Sequence, residues 1–98
     1  MKNRLIVTAR VLPDGQPFKV VGRFGWALEN LVRAAAAGCT PIDNPGPRWS
    51  AYVHKLKNRY GLAIDTLEEK HAGPFAGTHA RYVLRSNVEI IEEDKEAA

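Results

Sequence analysis

The sequence predicts an α+β fold in which a small helical core is closed by a C-terminal β-hairpin and preceded by a second hairpin at the N-terminus. Three observations predict it. The chain has 98 residues, 45% of them hydrophobic and 26% charged, which suffices for one modest core and leaves no room for a second domain. In two central stretches apolar residues recur at three- and four-residue steps. Toward both ends the pattern shifts to short β-prone runs separated by proline and glycine.

Residues 4–11 alternate loosely and are rich in β-branched side chains, with Leu5, Val7 and Val11 on one side. Pro13-Asp14-Gly15 is turn chemistry: proline presets φ, aspartate bonds back to the backbone, and glycine accepts a positive φ. Phe18 to Val21 is the second β-prone run, so residues 1–22 read as an N-terminal hairpin. From Arg23 to Ala37 the residues Phe24, Ala27, Leu28, Leu31, Val32 and Ala35 make the stripe of an amphipathic helix. The alanines at 34–37 favour helix and Gly38 supplies its stop. Thr40-Pro41 opens one helical turn anchored by Ile42, and Asn44-Pro45-Gly46-Pro47 ends it. A further helix spans Arg48 to Tyr60, with Gly61 after its end, and Trp49, Tyr52, Val53, Leu56 and Tyr60 make its buried face. That spacing marks Trp49, Tyr52 and Tyr60 as core rather than as stacking platforms for single strands. Residues 62–68 and 80–85 are two strands, and the glycines and proline of 71–79 make the loop between them. The body of the protein is therefore residues 23–86, three helices closed by a hairpin, and residues 87–98 read as a solvated acidic tail.

The formal net charge of +3 hides an asymmetry. Residues 89–98 hold five acids and one base, so residues 1–88 carry 13 bases and 6 acids, a net +7. A basic body suits a polyanionic partner. A tail of net −4 on a short tether either competes with that partner for the basic surface or packs Val88, Ile90 and Ile91 on the domain. Other function classes find little support. No apolar run is long enough to span a bilayer, and the single cysteine, Cys39, fits a reducing cytoplasm. Cys39, His54, His71 and His79 have no metal-ligand spacing. No phosphate loop, no serine with nearby histidine and acid, and no carboxylate pair outside the tail is present. We expect no enzyme, no cofactor and no metal.

The pattern Leu28-x-x-Leu31, Gly38-x-Thr40-Pro41-Ile42, Arg48, Val53-x-x-Leu56-Lys57, Gly61-x-x-Ile64-x-Thr66 and Ala80-Arg81-Tyr82-x-Leu84 resembles that of small bacterial and phage winged helix-turn-helix proteins. It covers about residues 24–85 and departs from the family at the proline-rich 44–47. The resemblance implies a three-helix core with a C-terminal hairpin wing, and DNA binding through the second long helix and that wing.

The residues themselves point the same way. Residues 48–59 carry Arg48, Lys55, Lys57 and Arg59 and no acid, with Ser50, Ala51, His54 and Asn58 among the bases. Small side chains let a helix approach the floor of the major groove, while asparagine pairs with adenine and histidine or lysine with guanine acceptors. On the wing, Lys70, His71, His79 and Arg81 are candidate phosphate contacts. Phe75, in mid-loop, is either a wing-tip contact or an aromatic folded back on its own hairpin. The expected function is sequence-specific binding of double-stranded DNA, as a transcriptional regulator or an accessory factor of a mobile element, in the cytoplasm and on the nucleoid when bound. One such footprint is small, so a homodimer or cooperative array through the edges of the N-terminal hairpin is expected with it. The rival reading is a winged-helix protein-interaction module whose basic face meets an acidic partner.

Overall fold

A computed structural model describes residues 3–45, 48–71 and 77–97. Its elements run β1 (Asn3–Val11), β2 (Phe18–Val21), α1 (Arg23–Ala34), a 3-10 turn (Ala35–Ala37), α2 (Trp49–Tyr60), β3 (Ile64–His71), β4 (Gly77–Leu84) and β5 (Val88–Ala97). The strands form a three-stranded antiparallel sheet in the order β2-β1-β5 and a two-stranded sheet, β3-β4.

The N-terminal hairpin forms as the alternation predicts, with Val7 facing Val20 and Thr8 facing Lys19. One face of this sheet offers Val7, Ala9 and Val20, all fully buried, to Ala27, Leu28 and Leu31 of α1. The approach is close: a Cβ on Gly25 would stand 2.6 Å from the Val20 carbonyl oxygen. The second helix adds Trp49, Tyr52, Val53 and Leu56 to the same core, and the wing adds Ile64 and Tyr82.

The C-terminal segment is not a solvated tail. Residues 88–97 form β5, paired with β1 from Val11↔Val88 to Asn3↔Ala97. Val88 is buried and Ile90 packs against the core. The register shifts between Thr8 and Ala9, which pair with Glu92 and Ile90, so Ile91 is the extra residue of a bulge and stays exposed. The pairing also places Glu89 opposite Arg10. Arg10 Nε lies 3.2 Å from Glu89 Oε1, and Arg33 of α1 reaches Glu93 at 3.6 Å. As a result β1 is the middle strand, and one edge of the predicted hairpin is covered by the chain's own C-terminus.

The extent of the first helix and the number of core helices are also corrected. The alanine run does not stay α-helical to Ala37. Helix α1 ends at Ala34, Ala35 takes a positive φ of 50°, and a 3-10 turn follows. Helix propensity is overridden here because the chain must bring Cys39 beside β4, where it exchanges two 2.8 Å backbone hydrogen bonds with Tyr82. Gly38, with φ 71°, makes the crossing possible, because a Cβ there would lie 2.6 Å from the Tyr82 carbonyl oxygen and 2.8 Å from Val83 Cγ2. The one helical turn read at Thr40-Pro41 does form, at 40–44, but it does not grow into a third helix of the core. Thr40 Oγ1 accepts from the Asp43 N–H at 2.9 Å and the Thr40 carbonyl accepts from the Asn44 N–H at 2.9 Å. Pro45 follows at once and cannot supply the next N–H. Among the described residues the core is thus built on two α-helices rather than three. No helix among the described residues is long and apolar enough to cross a membrane.

Candidate nucleic-acid interface

Helix α2 is held on three sides. The Trp49 ring stacks on Tyr82 of the wing at 6.1 Å and packs on Trp26 of α1 at 5.4 Å, while Tyr52 meets Phe24 edge-on at 5.6 Å. Trp49 Nε1 donates to the Asn44 carbonyl at 2.6 Å. The Asn44 amide donates to Asn30 Oδ1 at 3.3 Å, and the Asn30 amide donates in turn to the Trp26 carbonyl at 2.8 Å. A hydrogen-bonded chain therefore runs from α1 through the proline-rich connection to the first residue of α2. At the other end Gly61 closes the helix in the left-handed conformation, φ 67°. Trp49 and Tyr52 are buried core residues, as their spacing predicts.

With its apolar stripe fixed, α2 turns its polar residues outward. Arg48, Ser50, Ala51, His54, Lys57, Asn58 and Arg59 are exposed, and Lys55 is half-buried. These residues divide into two stripes. Ser50, His54, Lys57 and Asn58 border a shallow groove whose far wall is Thr66 and Tyr82 of the wing. Arg48 and Ala51 face the start of α1, and Lys55 on that side sets its Nζ 4.0 Å from the centre of the Phe24 ring, a cation–π contact. Asn58 donates its amide to the His54 carbonyl at 2.8 Å, and its nitrogen lies 3.2 Å from His54 Nδ1. Reaching a base edge therefore requires that side chain to swing away from its own helix.

The wing divides the remaining candidates. Strand alternation puts Thr66, Glu68, Lys70, Thr78, Ala80 and Tyr82 on the face turned to α2, as the Trp49–Tyr82 stack shows. His79 and Arg81 lie on the opposite face. Arg81 grips Glu69 with Nε at 2.6 Å and Nη2 at 2.7 Å, and its Nη1 donates to the Ala37 carbonyl at 2.8 Å. Asp43 stands 3.6 Å from the same guanidinium, and His79 Nε2 lies 3.1 Å from Glu69 Oε1. The Arg81 guanidinium, helped by His79, holds the Glu69 carboxyl down at about 2. Arg81 is thus a brace between the wing, the 3-10 turn and the turn at 40–44. Of the wing candidates whose side chains are described, Lys70 alone shares a face with α2. Phe75 and the side chain of His71 lie outside the described residues. Cys39 is fully buried, and burial pushes its thiol up to about 11, far from a reactive thiolate.

Sequence reasoning missed Arg23 and Phe24, which face Arg48 across the second groove. No spacing rule links residues on two separate helices, so the signal lay only in the packing.

A family model described as a winged helix domain matches residues 17–94. The match takes in β2 and runs well into β5, so the C-terminal strand belongs to the domain. No curated protein and no solved structure matches the chain.

Proposed function

Because this chain belongs to the winged helix domain family, we propose that it binds double-stranded DNA with α2 in the major groove. The observation that carries this reading is the outward face of α2. It presents Arg48, Lys57 and Arg59 with no acid, on a helix clamped between α1 and the wing. A helix of this kind fits a groove about 12 Å wide. The stripe Ser50, His54 and Asn58 reads base edges, and the lysine and arginine side chains meet phosphates. Lys70 is the wing residue on the same side. Binding is sequence-specific, and the role is that of a transcriptional regulator or an accessory factor of a mobile element. The chain carries out no chemical reaction on the DNA it binds.

The test compares full-length protein on duplex DNA, on heparin and on a carboxylate exchanger at rising salt, followed by selection of bound sequences from a random duplex pool. Selective retention on duplex and an enriched sequence support the reading. Equal retention on all three supports the rival, a basic face for an acidic protein partner, and ends this one. On the enriched duplex, Asn58→Ala should cost toward the lower end of the 1–3 kcal/mol typical of a base contact. The reason is that Asn58 gives up its bond to the His54 carbonyl, worth about 1 kcal/mol, before it can reach a base. Lys57→Ala should weaken enriched and random duplexes alike.

A further inference from the structure

On the flank of α2 away from the wing, an open groove of about 510 Å³ separates Arg48 and Ala51 from Gly22, Arg23 and Phe24 of α1, with Tyr52 in its floor. Its two rims are arginines. Both are exposed, and neither has an ion-pair partner among the described residues. A third cation lies close by, since the Lys55 ammonium stands 4.0 Å from the centre of the Phe24 ring, which lines the groove. The first turns of α1 and α2 both lack acids. The residue before α1 is Gly22, with φ 69° and open space beyond it, so no side chain caps the leading N–H groups of that helix. The floor is aromatic, and the hydroxyl of the buried Tyr52 has no hydrogen-bond partner.

Cationic rims over an apolar floor match a phosphodiester with its sugar better than they match a bare anion. The phosphate takes the guanidinium groups and the helix N–H groups, and the deoxyribose covers Phe24 and Ala51. The groove also continues the exposed surface of α2, whose other flank is bordered by the wing. A helix seated in the major groove has a sugar–phosphate strand on each side. We propose that Arg23 and Arg48 clamp one backbone phosphate of the strand opposite the wing, with Lys55 as a fixed third charge. Arg23, which belongs neither to α2 nor to the wing, is then a DNA contact. The proposal rests on the DNA-binding reading above. It adds a sequence-independent anchor that sets the orientation of α2 in the groove.

The test uses the full chain with Arg23→Gln and Arg48→Gln, and Lys57→Ala as a reference on the opposite flank. Each arginine variant should melt like the wild type and lower the slope of log affinity against log salt by up to about 0.9, equally on enriched and random duplexes. A set of duplexes carrying one methylphosphonate each locates the contact. One neutralised position should weaken the wild type more than it weakens Arg23→Gln or Arg48→Gln. If Arg23→Gln keeps the wild-type slope while Lys57→Ala loses it, the DNA reading stands and the clamp is overturned. If the wild type binds no duplex, both fall. Protection of the wild type from melting by inorganic phosphate at millimolar concentration, with the salt slope unchanged in Arg23→Gln, would make the groove a free-anion site and also overturn the clamp.

Discussion

Helix α2 and strand β5 are the two most one-sided charge runs in the chain, one basic and one acidic, and the fold treats them in opposite ways. Among the acids of β5, Glu89 lies in register with Arg10 of β1, and Glu89 and Glu93 reach Arg10 and Arg33 within 4 Å. The bases of α2 meet no carboxylate within that distance among the described residues, and one of them, Lys55, leans on an aromatic ring instead. A run of like charge has no meaning by itself. What decides it is the element that the fold sets opposite. Facing a complementary strand, charge helps to select a register. Facing solvent alone, it remains available to a partner, and it raises self-repulsion in the free protein.

The most severe way to break this comparison is to truncate the chain after Val88. If β5 is structural, its loss exposes the edge of β1 and the inner face beneath Ile90. Burial of one large aliphatic side chain contributes about 1.5–3 kcal/mol and each ladder hydrogen bond about 0.5–1.5 net. The cost should be on the order of 4 kcal/mol, much of what so small a domain has. Denaturant melts measure it, and salt titrations on duplex DNA should show an unaltered slope for whatever remains folded. A truncated chain that melts normally and binds random DNA more tightly would return β5 to the role of a competing tail.

A smaller effect tests the seam where the helical core meets the wing. Gly38→Ala forces a side chain into a backbone conformation with φ 71° and against the Tyr82 carbonyl. Strain of this kind costs about 1–3 kcal/mol. DNA affinity should fall with it, because Tyr82 carries the ring that stacks on Trp49 at the start of α2. Lost stability with intact affinity would show that α2 holds its position without the wing.

The direct contrast between the two charge runs comes from single alanines. Arg10→Ala removes one partner of a half-exposed pair and should cost up to about 1 kcal/mol. Lys57→Ala and Arg59→Ala should change stability by less than about 0.5 kcal/mol, while both weaken DNA binding. A clear loss of stability from either α2 variant, with DNA binding kept, would mean that its charge serves the fold and would erase the difference between the runs.

What the sequence disclosed follows the same division. The periodic elements were legible, because the buried faces of α1 and α2 and the alternation of the N-terminal hairpin are local patterns. So was the exposed basic surface of α2, which is the complement of a well-defined apolar stripe. The strand β5 was legible only as the alternative in which Val88, Ile90 and Ile91 pack on the domain, and its pairing with β1 was not legible at all. Its bulge at Ile91 breaks the two-residue period, and its ionic partner Arg10 lies 79 residues from Glu89. The groove between Arg23 and Arg48 and the brace of Arg81 on Glu69 and Ala37 were equally hidden. Each joins elements that no local spacing relates. His79 and Arg81 look like wing cations in a sequence, and only strand parity together with the position of Ala37 shows that they turn inward.

That brace supplies the finest test, because it asks whether a paired charge serves stability where the wing is concerned. The Glu69 carboxyl is held at about 2, against an ordinary value of 4.5, first by its bonds to Arg81 and then by His79. A depressed folded-state value means that the folded form keeps the carboxylate charged where the unfolded chain would take up a proton. The stabilisation is therefore complete above about 4.5 and drains away as the pH falls toward about 2. The group is exposed, so the effect is small and screened by salt. Glu69→Gln should lower the melting temperature slightly and by the same amount at pH 5 and pH 7, and the gap from wild type should close as the pH drops below about 4.5. The binding slope on duplex DNA should stay as it was, since neither Glu69 nor Arg81 faces the side of α2. A gap that persists unchanged to pH 2 would show that Glu69 acts by packing rather than by charge. A changed binding slope would bring Arg81 back to the DNA, released from its partner and turned outward.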